Sequence, residues 1–133
     1  MARVTSEQIA KLMSNASGSS FDDVRDRALM WVFIATGAEP HDIAEMTTDD
    51  VDLEGGIAWL GTSTDQRSHA LGRDATAALS AYLEARASRR DAGRLRLWLG
   101  KDEEMGAEAV VRVARERGAR AGVGDVLHPP HAH

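Results

Sequence analysis

Ser20-Phe21-Asp22-Asp23-Val24-Arg25-Asp26-Arg27-Ala28-Leu29-Met30-Trp31-Val32-Phe33-Ile34-Ala35-Thr36-Gly37 is the stretch around which the rest of the chain must pack. The Ser20 hydroxyl suits an N-cap, where it accepts from a backbone N–H of the first turn. Asp22 and Asp23 stand in that turn, where the helix dipole favours negative charge. Val24, Ala28, Trp31, Val32 and Ala35 recur at helical spacing. Leu29, Phe33 and Ile34 widen the stripe almost all round, as in a central buried helix. Gly37 ends it, because a left-handed C-cap suits glycine. The longest apolar run, Ala28 to Ala35, falls far short of the roughly 20 residues of a membrane span, so no membrane partner is expected.

On the N-terminal side, Thr5 and Gln8 form a capping box for a helix over Ser6 to Ser14, and Ser14 to Ser20 is loop composition. On the other side, Pro40 opens a short helix, His41 to Met46. Thr47 to Gly56 reads as a turn, a short strand and a Gly-Gly reversal. Ile57 to Leu60 and the stretch around Ser68 to Leu71 are strand-like, joined by a polar loop, Gly61 to Arg67. A long helix follows from Asp74 to about Arg90, with Ala78, Leu79, Tyr82 and Leu83 on its apolar face. Leu95 to Leu99 alternates like a half-buried strand. Gly106 to Ala121 is a last helix capped by Gly122, and Val123 to His133 has no periodicity. The fold class is therefore α+β, mainly α, with a small antiparallel sheet.

The 133 residues, 43% hydrophobic and 28% charged, suit one ordinary globular domain, expected over 1–127 with a His/Pro tail at 128–133. Zero Cys excludes disulfides, a thiol nucleophile and a Cys-based zinc site. The N-terminus lacks the charged-then-apolar pattern of a signal peptide, so a cytoplasmic protein is expected. Residues 1–66 carry 4 basic and 12 acidic side chains, and residues 67–133 carry 12 basic and 9 acidic ones. The net charge of −5 argues against nucleic-acid binding through bulk charge, yet a local basic face remains compatible with it.

Several phrases in their order resemble the catalytic domain of the tyrosine recombinase (phage integrase) family. They are Val24 to Leu29, Ala35-Thr36-Gly37, Asp49 to Leu53, Leu71-Gly72-Arg73-Asp74-Ala75 leading into Ala81 to Arg86, and Ala114 to Val123. The likeness runs from about residue 5 to the end. It implies helices around a three-stranded antiparallel sheet, here truncated and without the family's N-terminal core-binding domain. The family transfers a DNA phosphoryl group to a Tyr hydroxyl. Two Arg side chains hold the phosphate, a hairpin Lys protonates the leaving oxygen and His residues assist. Cations placed in advance meet the charge that develops at phosphorus, and Arg is the natural fork for two phosphate oxygens.

At the first Arg the family writes Ala-Thr-Gly-Leu-Arg, and this chain writes Ala35-Thr36-Gly37-Ala38-Glu39. A unit charge pair at ~4 Å and an effective dielectric of ~20 is worth about 4 kcal/mol, so a carboxylate here repels what it should hold. The hairpin Lys matches Thr62, which supplies no proton of suitable pKa near neutral pH. Arg67 survives near the position that faces the DNA backbone in the family; as a turn cation it is equally at home in solvent. Pro130-His131-Ala132-His133 begins the family's Pro-His motif, with His131 at the assisting His, and the chain ends before the following Arg and the nucleophilic Tyr. Tyr82, the single Tyr, reads as a core or boundary aromatic with its hydroxyl at the rim. The expectation is a chain that is not a working enzyme, with no cofactor.

Among other constellations, His128, His131 and His133 lack the spacing of a helical metal pair, so no metal is expected. Asp49, Asp50, Asp52 and Glu54 miss the calcium-loop spacing and read as a solvated turn. Arg112, Arg115 and Arg120 lie opposite the apolar face of the last helix, and with Arg86, Arg89, Arg90, Arg94 and Arg96 can form a basic face or an ordinary solvated surface. Two functions from different classes follow. One is an inactive, DNA-associated integrase-like protein of a phage or mobile element, using Arg67, Arg112, Arg115 and Arg120. The other is a protein-interaction module that pairs with an active recombinase, with itself or with another partner.

Overall fold

The computed structural model describes residues 5–62 and 64–123. The chain runs α1 (Ser6–Asn15), α2 (Phe21–Thr36), α3 (Pro40–Ala44), a 3-10 turn (Thr48–Asp50), β1 (Val51–Asp52), β2 (Ile57–Thr62), β3 (Asp65–Ala70), α4 (Gly72–Ala87) and α5 (Ala107–Ala121). The expected caps are in place. Thr5 and Gln8 close a capping box, Ser20 Oγ accepts from Asp23 N at 3.1 Å, and Gly37 and Gly122 end their helices in the left-handed conformation. The strands form one antiparallel sheet in the order β1-β2-β3, with Ala58 opposite His69 and Leu60 opposite Arg67.

The hairpin is longer than its polar composition suggested. Gly61 and Thr62 belong to β2, and Asp65 to Arg67 belong to β3. Gly61 permits this with φ of 121°, since a Cβ there would stand 2.5 Å from the Asp65 carbonyl oxygen.

Helix α2 packs on α4, α5 and β3. Its Ala28, Leu29, Met30, Val32 and Phe33 join Leu12, Ile43, Leu60, Leu79, Trp98 and Val110 in a single core. Through this core runs an ionic network that helical periodicity alone did not announce. Arg25 Nε donates to Asp26 Oδ1 at 2.9 Å, and Arg117 Nε donates to Asp26 Oδ2 at 3.0 Å. Arg117 Nη2 also reaches Asp23 Oδ1 at 2.8 Å, tying α5 to the start of α2. Buried charges persist where every lone pair and proton finds a partner, and among the described residues no buried side-chain N or O lacks one. The bond from Arg117, with help from Ser20, holds the Asp23 carboxyl below the usual carboxylate range.

Leu95 to Leu99 departs most from expectation. It is extended but makes only isolated bridges, Thr47 to Arg96 and Leu99 to Glu104, rather than a strand. Leu95 O and Trp98 O accept from the backbone N–H groups of Thr48 and Met105, and other carbonyls in and just before the segment are taken by side chains. Arg86 Nε donates to Leu97 O at 3.0 Å, Nη1 to Ala92 O at 2.9 Å, and Nη2 to Arg94 O at 2.7 Å and Arg96 O at 2.8 Å. Arg86 is therefore buried and no part of a basic surface.

Two outcomes follow. Arg86→Met leaves buried carbonyls without donors and should cost about 3–5 kcal/mol by urea denaturation; a loss below about 1 kcal/mol would contradict the role given to Arg86. Asp23 titrates lower in the fold than in the unfolded chain, so its contribution is whole above the unfolded pKa of about 4 and fades as pH falls through the folded value. Asp23→Asn should accordingly flatten the acid limb of the stability–pH curve below about pH 4 and leave its alkaline limb in place.

Candidate nucleic-acid interface

Glu39 follows the Ala35-Thr36-Gly37 turn and is the N-cap residue of α3, extended at φ −76° and ψ 153°, exposed, and without a side-chain capping bond. A carboxylate at the head of a helix is electrostatically at ease, so Glu39 suits the local fold. Thr62 is the last residue of β2, opposite Asp65. Arg67 is exposed on β3 opposite buried Leu60. His131, with His128, Pro130 and His133, lies outside the described residues.

Arg112, Arg115 and Arg120 are exposed on α5, whose Val110, Val113, Ala114, Arg117 and Gly118 face inward. Helix α3 packs against both β2 and α5, whereas α5 packs on α1, α2 and α3. Arg67 and the three α5 arginines thus stand on separate elements with α3 between them.

Among the described residues, the side chains of Arg67, Arg73, Arg90, Arg112, Arg115 and Arg120 make no hydrogen bond or ion pair. The other described arginines are engaged. Arg25, Arg86 and Arg117 are buried, and Arg27 donates to the carbonyls of Ala16 and Gly18. Arg89 pairs with Asp91, reaches the Gly100 carbonyl at 2.9 Å and lies 4.5 Å from the centre of the Phe21 ring. Its bonds hold the Asp91 carboxyl below the usual range. Arg94 approaches Asp91, and Arg96 pairs with Glu45 at 3.1 Å. Of the residues that can form a basic face or an ordinary solvated surface, Arg86, Arg89, Arg94 and Arg96 are thus largely spent on the fold, and Arg90 is exposed.

The carboxylates at 49–54 organise turns. Asp50 Oδ2 accepts from Thr47 N at 2.8 Å, Asp50 Oδ1 accepts from Gln66 Nε2 at 3.1 Å, and Asp52 Oδ1 accepts from Gly55 N at 3.0 Å. Among the described residues no cluster of His or carboxylates is built to hold a metal.

Tyr82 corrects the expectation of a hydroxyl at the rim. It is fully buried, stacks on Trp98 at 5.2 Å, donates to Leu97 O at 2.8 Å and accepts from Leu99 N at 2.9 Å. Burial pushes its hydroxyl above the ordinary tyrosine range. Its oxygen is thus enclosed and bonded on both sides, with no path to a phosphate.

The residues that sequence reasoning missed are Arg25, Asp26, Arg86 and Arg117. Each sits where an apolar stripe continues: Arg86 is four residues beyond Tyr82, and Arg117 three beyond Ala114. A charge in register with a core stripe was the available signal.

Residues 2–133 match the model of the phage integrase family. Tyrosine recombinase XerD of Bifidobacterium longum is 33% identical over 138 residues, covering 95% of this chain and 45% of that protein. XerD of Listeria monocytogenes serotype 4b is 33% identical over 79 residues, 59% of this chain and 27% of that one. The crystal structure of XerA recombinase superposes with a TM-score of 0.81 at 22% identity, over 96% of this chain and 47% of that chain, a likeness of fold. The chain spans less than half the length of each. No helix among the described residues is long and apolar enough to cross a membrane.

Tyr82→Phe should lower stability by about 1–3 kcal/mol in urea denaturation, because Leu99 N–H loses its buried acceptor. It should leave any DNA affinity unchanged in fluorescence anisotropy.

Proposed function

This chain belongs to the phage integrase family, the tyrosine recombinases, and from that premise we propose a non-catalytic, DNA-associated member acting in a phage or mobile-element setting. The observation that carries this reading is the division of the arginines. Those needed by the fold are buried or paired, while Arg67, Arg112, Arg115 and Arg120 are exposed and unengaged among the described residues. Free guanidinium groups on fixed elements suit phosphate oxygens, and such contacts position a protein on DNA without reading its sequence.

Three positions within the described chain speak against strand transfer. Glu39 replaces a cation that must meet developing negative charge. Thr62 replaces a general acid. Tyr82 is locked in the core by two hydrogen bonds.

A second reading, a protein-interaction module, is favoured by one observation. Residues 28–66 contain eight Asp or Glu and no Lys or Arg. This stretch holds α3, the turn after it and β2, including both Glu39 and Thr62. An acidic surface there repels a duplex and attracts a basic partner, an active recombinase among the candidates.

A salt titration of binding to generic duplex DNA separates the two. Wild-type protein should give a log–log slope of several units, reduced by about one in Arg67→Ala. Glu39→Arg should steepen the slope by about one unit and tighten binding at ~50 mM salt. No binding at ~50 mM salt would sink the DNA reading and leave the partner reading standing.

A further inference from the structure

Helix α5 carries Glu108, Arg112, Glu116 and Arg120 at successive intervals of four. On a helix such residues form a single ridge inclined to the axis, and all four are exposed. Neighbours on this ridge have the spacing of helical ion pairs. Yet none of the four side chains makes an ion pair or hydrogen bond among the described residues. Beside the ridge, half-buried Ala107 and Val111 line a shallow depression shared with Arg115.

The ridge alternates acid, base, acid, base. Read backwards it becomes base, acid, base, acid, so it is complementary to itself in the antiparallel sense. Two copies of α5 overlapping over their full length bring the first residue of one helix to the last of the other. Glu108, second in α5, then meets Arg120, second from the end. Arg112, sixth, meets Glu116, sixth from the end. A twofold axis repeats each pairing, giving an isologous contact in which every charge of the ridge has an opposite partner. Packing of the i±4 ridges of two helices is also the commonest helix–helix arrangement, at a crossing angle of about 50°.

We infer that the outer ridge of α5 is a self-association surface, and that its occupant is a second copy of this chain docked antiparallel through Glu108, Arg112, Glu116 and Arg120. The contact is mainly electrostatic, so it is weak and salt-sensitive. It withdraws Arg112 and Arg120 from any other anion, so dimer and DNA compete for these two side chains, and it leaves Arg67, on β3, outside the contact. The inference does not rest on the DNA reading, since it needs no nucleic acid.

Sedimentation velocity of the full chain, from about 5 to 300 µM in ~50 mM salt, tests it. Wild type should show a reversible monomer–dimer equilibrium whose dimer fraction rises across this range, with association weakening at least about tenfold in ~500 mM salt. The doubly reversed variants Glu108→Arg/Glu116→Arg and Arg112→Glu/Arg120→Glu should each be monomeric alone and should associate when mixed in equal amounts. All four side chains are exposed, so both variants should keep the wild-type circular dichroism spectrum. A wild type that stays monomeric at 300 µM, variants that still pair with themselves, or a mixture that fails to associate would each overturn the inference. The DNA titration has its own outcome, so failure of one leaves the other intact.

Discussion

Extended backbone between α4 and α5 carries carbonyl groups into the core without a sheet to receive them, and the rest of the structure is arranged to satisfy them. Leu97 O accepts from both Tyr82 and Arg86, and Leu99 O accepts from Arg25. Ala92, Arg94 and Arg96 give their carbonyls to the same Arg86 guanidinium. A buried carbonyl without a donor costs more than a made hydrogen bond returns, so these donors are obligatory. The segment in turn positions α3, because Trp98 Nε1 donates to Ile43 O at 2.9 Å and Leu97 N to Met46 O at 2.9 Å. Glu39, at the head of α3, thus owes its place to side chains on α2 and α4.

This demand explains the chain's use of arginine. A planar guanidinium with five donors can serve several carbonyls or two carboxylates at once, which a lysine ammonium does less well. Arg86 does the first and Arg117 the second, bridging Asp23 and Asp26 across α2 and α5. Sixteen basic residues against twenty-one acidic ones already tip the chain negative. Committing part of the arginines to the interior leaves a surface more acidic than the count suggests. The free cations concentrate on α5 and on scattered exposed positions, and the stretch from α3 to β2 keeps its carboxylates.

Much of the architecture was legible because local rules and tertiary packing agree in it. Ser20 and Gly37 bound α2 as capping chemistry requires, and the strands form a small antiparallel sheet. Disagreement came where a pattern had two physical solutions. Leu95 to Leu99 alternates like a strand in sequence, but Leu97, Trp98 and Leu99 are all buried and Leu95 is exposed, and the carbonyls of Leu97 and Leu99 bond to side chains. Tyr82 was placed correctly on its apolar stripe. The depth of its hydroxyl depended on residues fifteen and seventeen positions away. The candidate interface was less legible, because an arginine reads alike in sequence whether it ends in solvent or in the core.

The sequence by itself determined the helices, the hairpin and the family likeness, since each rests on residue type at local or motif spacing. Only the tertiary structure decided which arginines are free. Arg86 continues the apolar stripe of α4 and Arg112 lies off that of α5, but what engages Arg86 is that distant backbone carbonyls come within about 3 Å of its guanidinium. That distance is set by how α2, α4, α5 and the segment before α5 pack together, which no single stretch of the chain encodes.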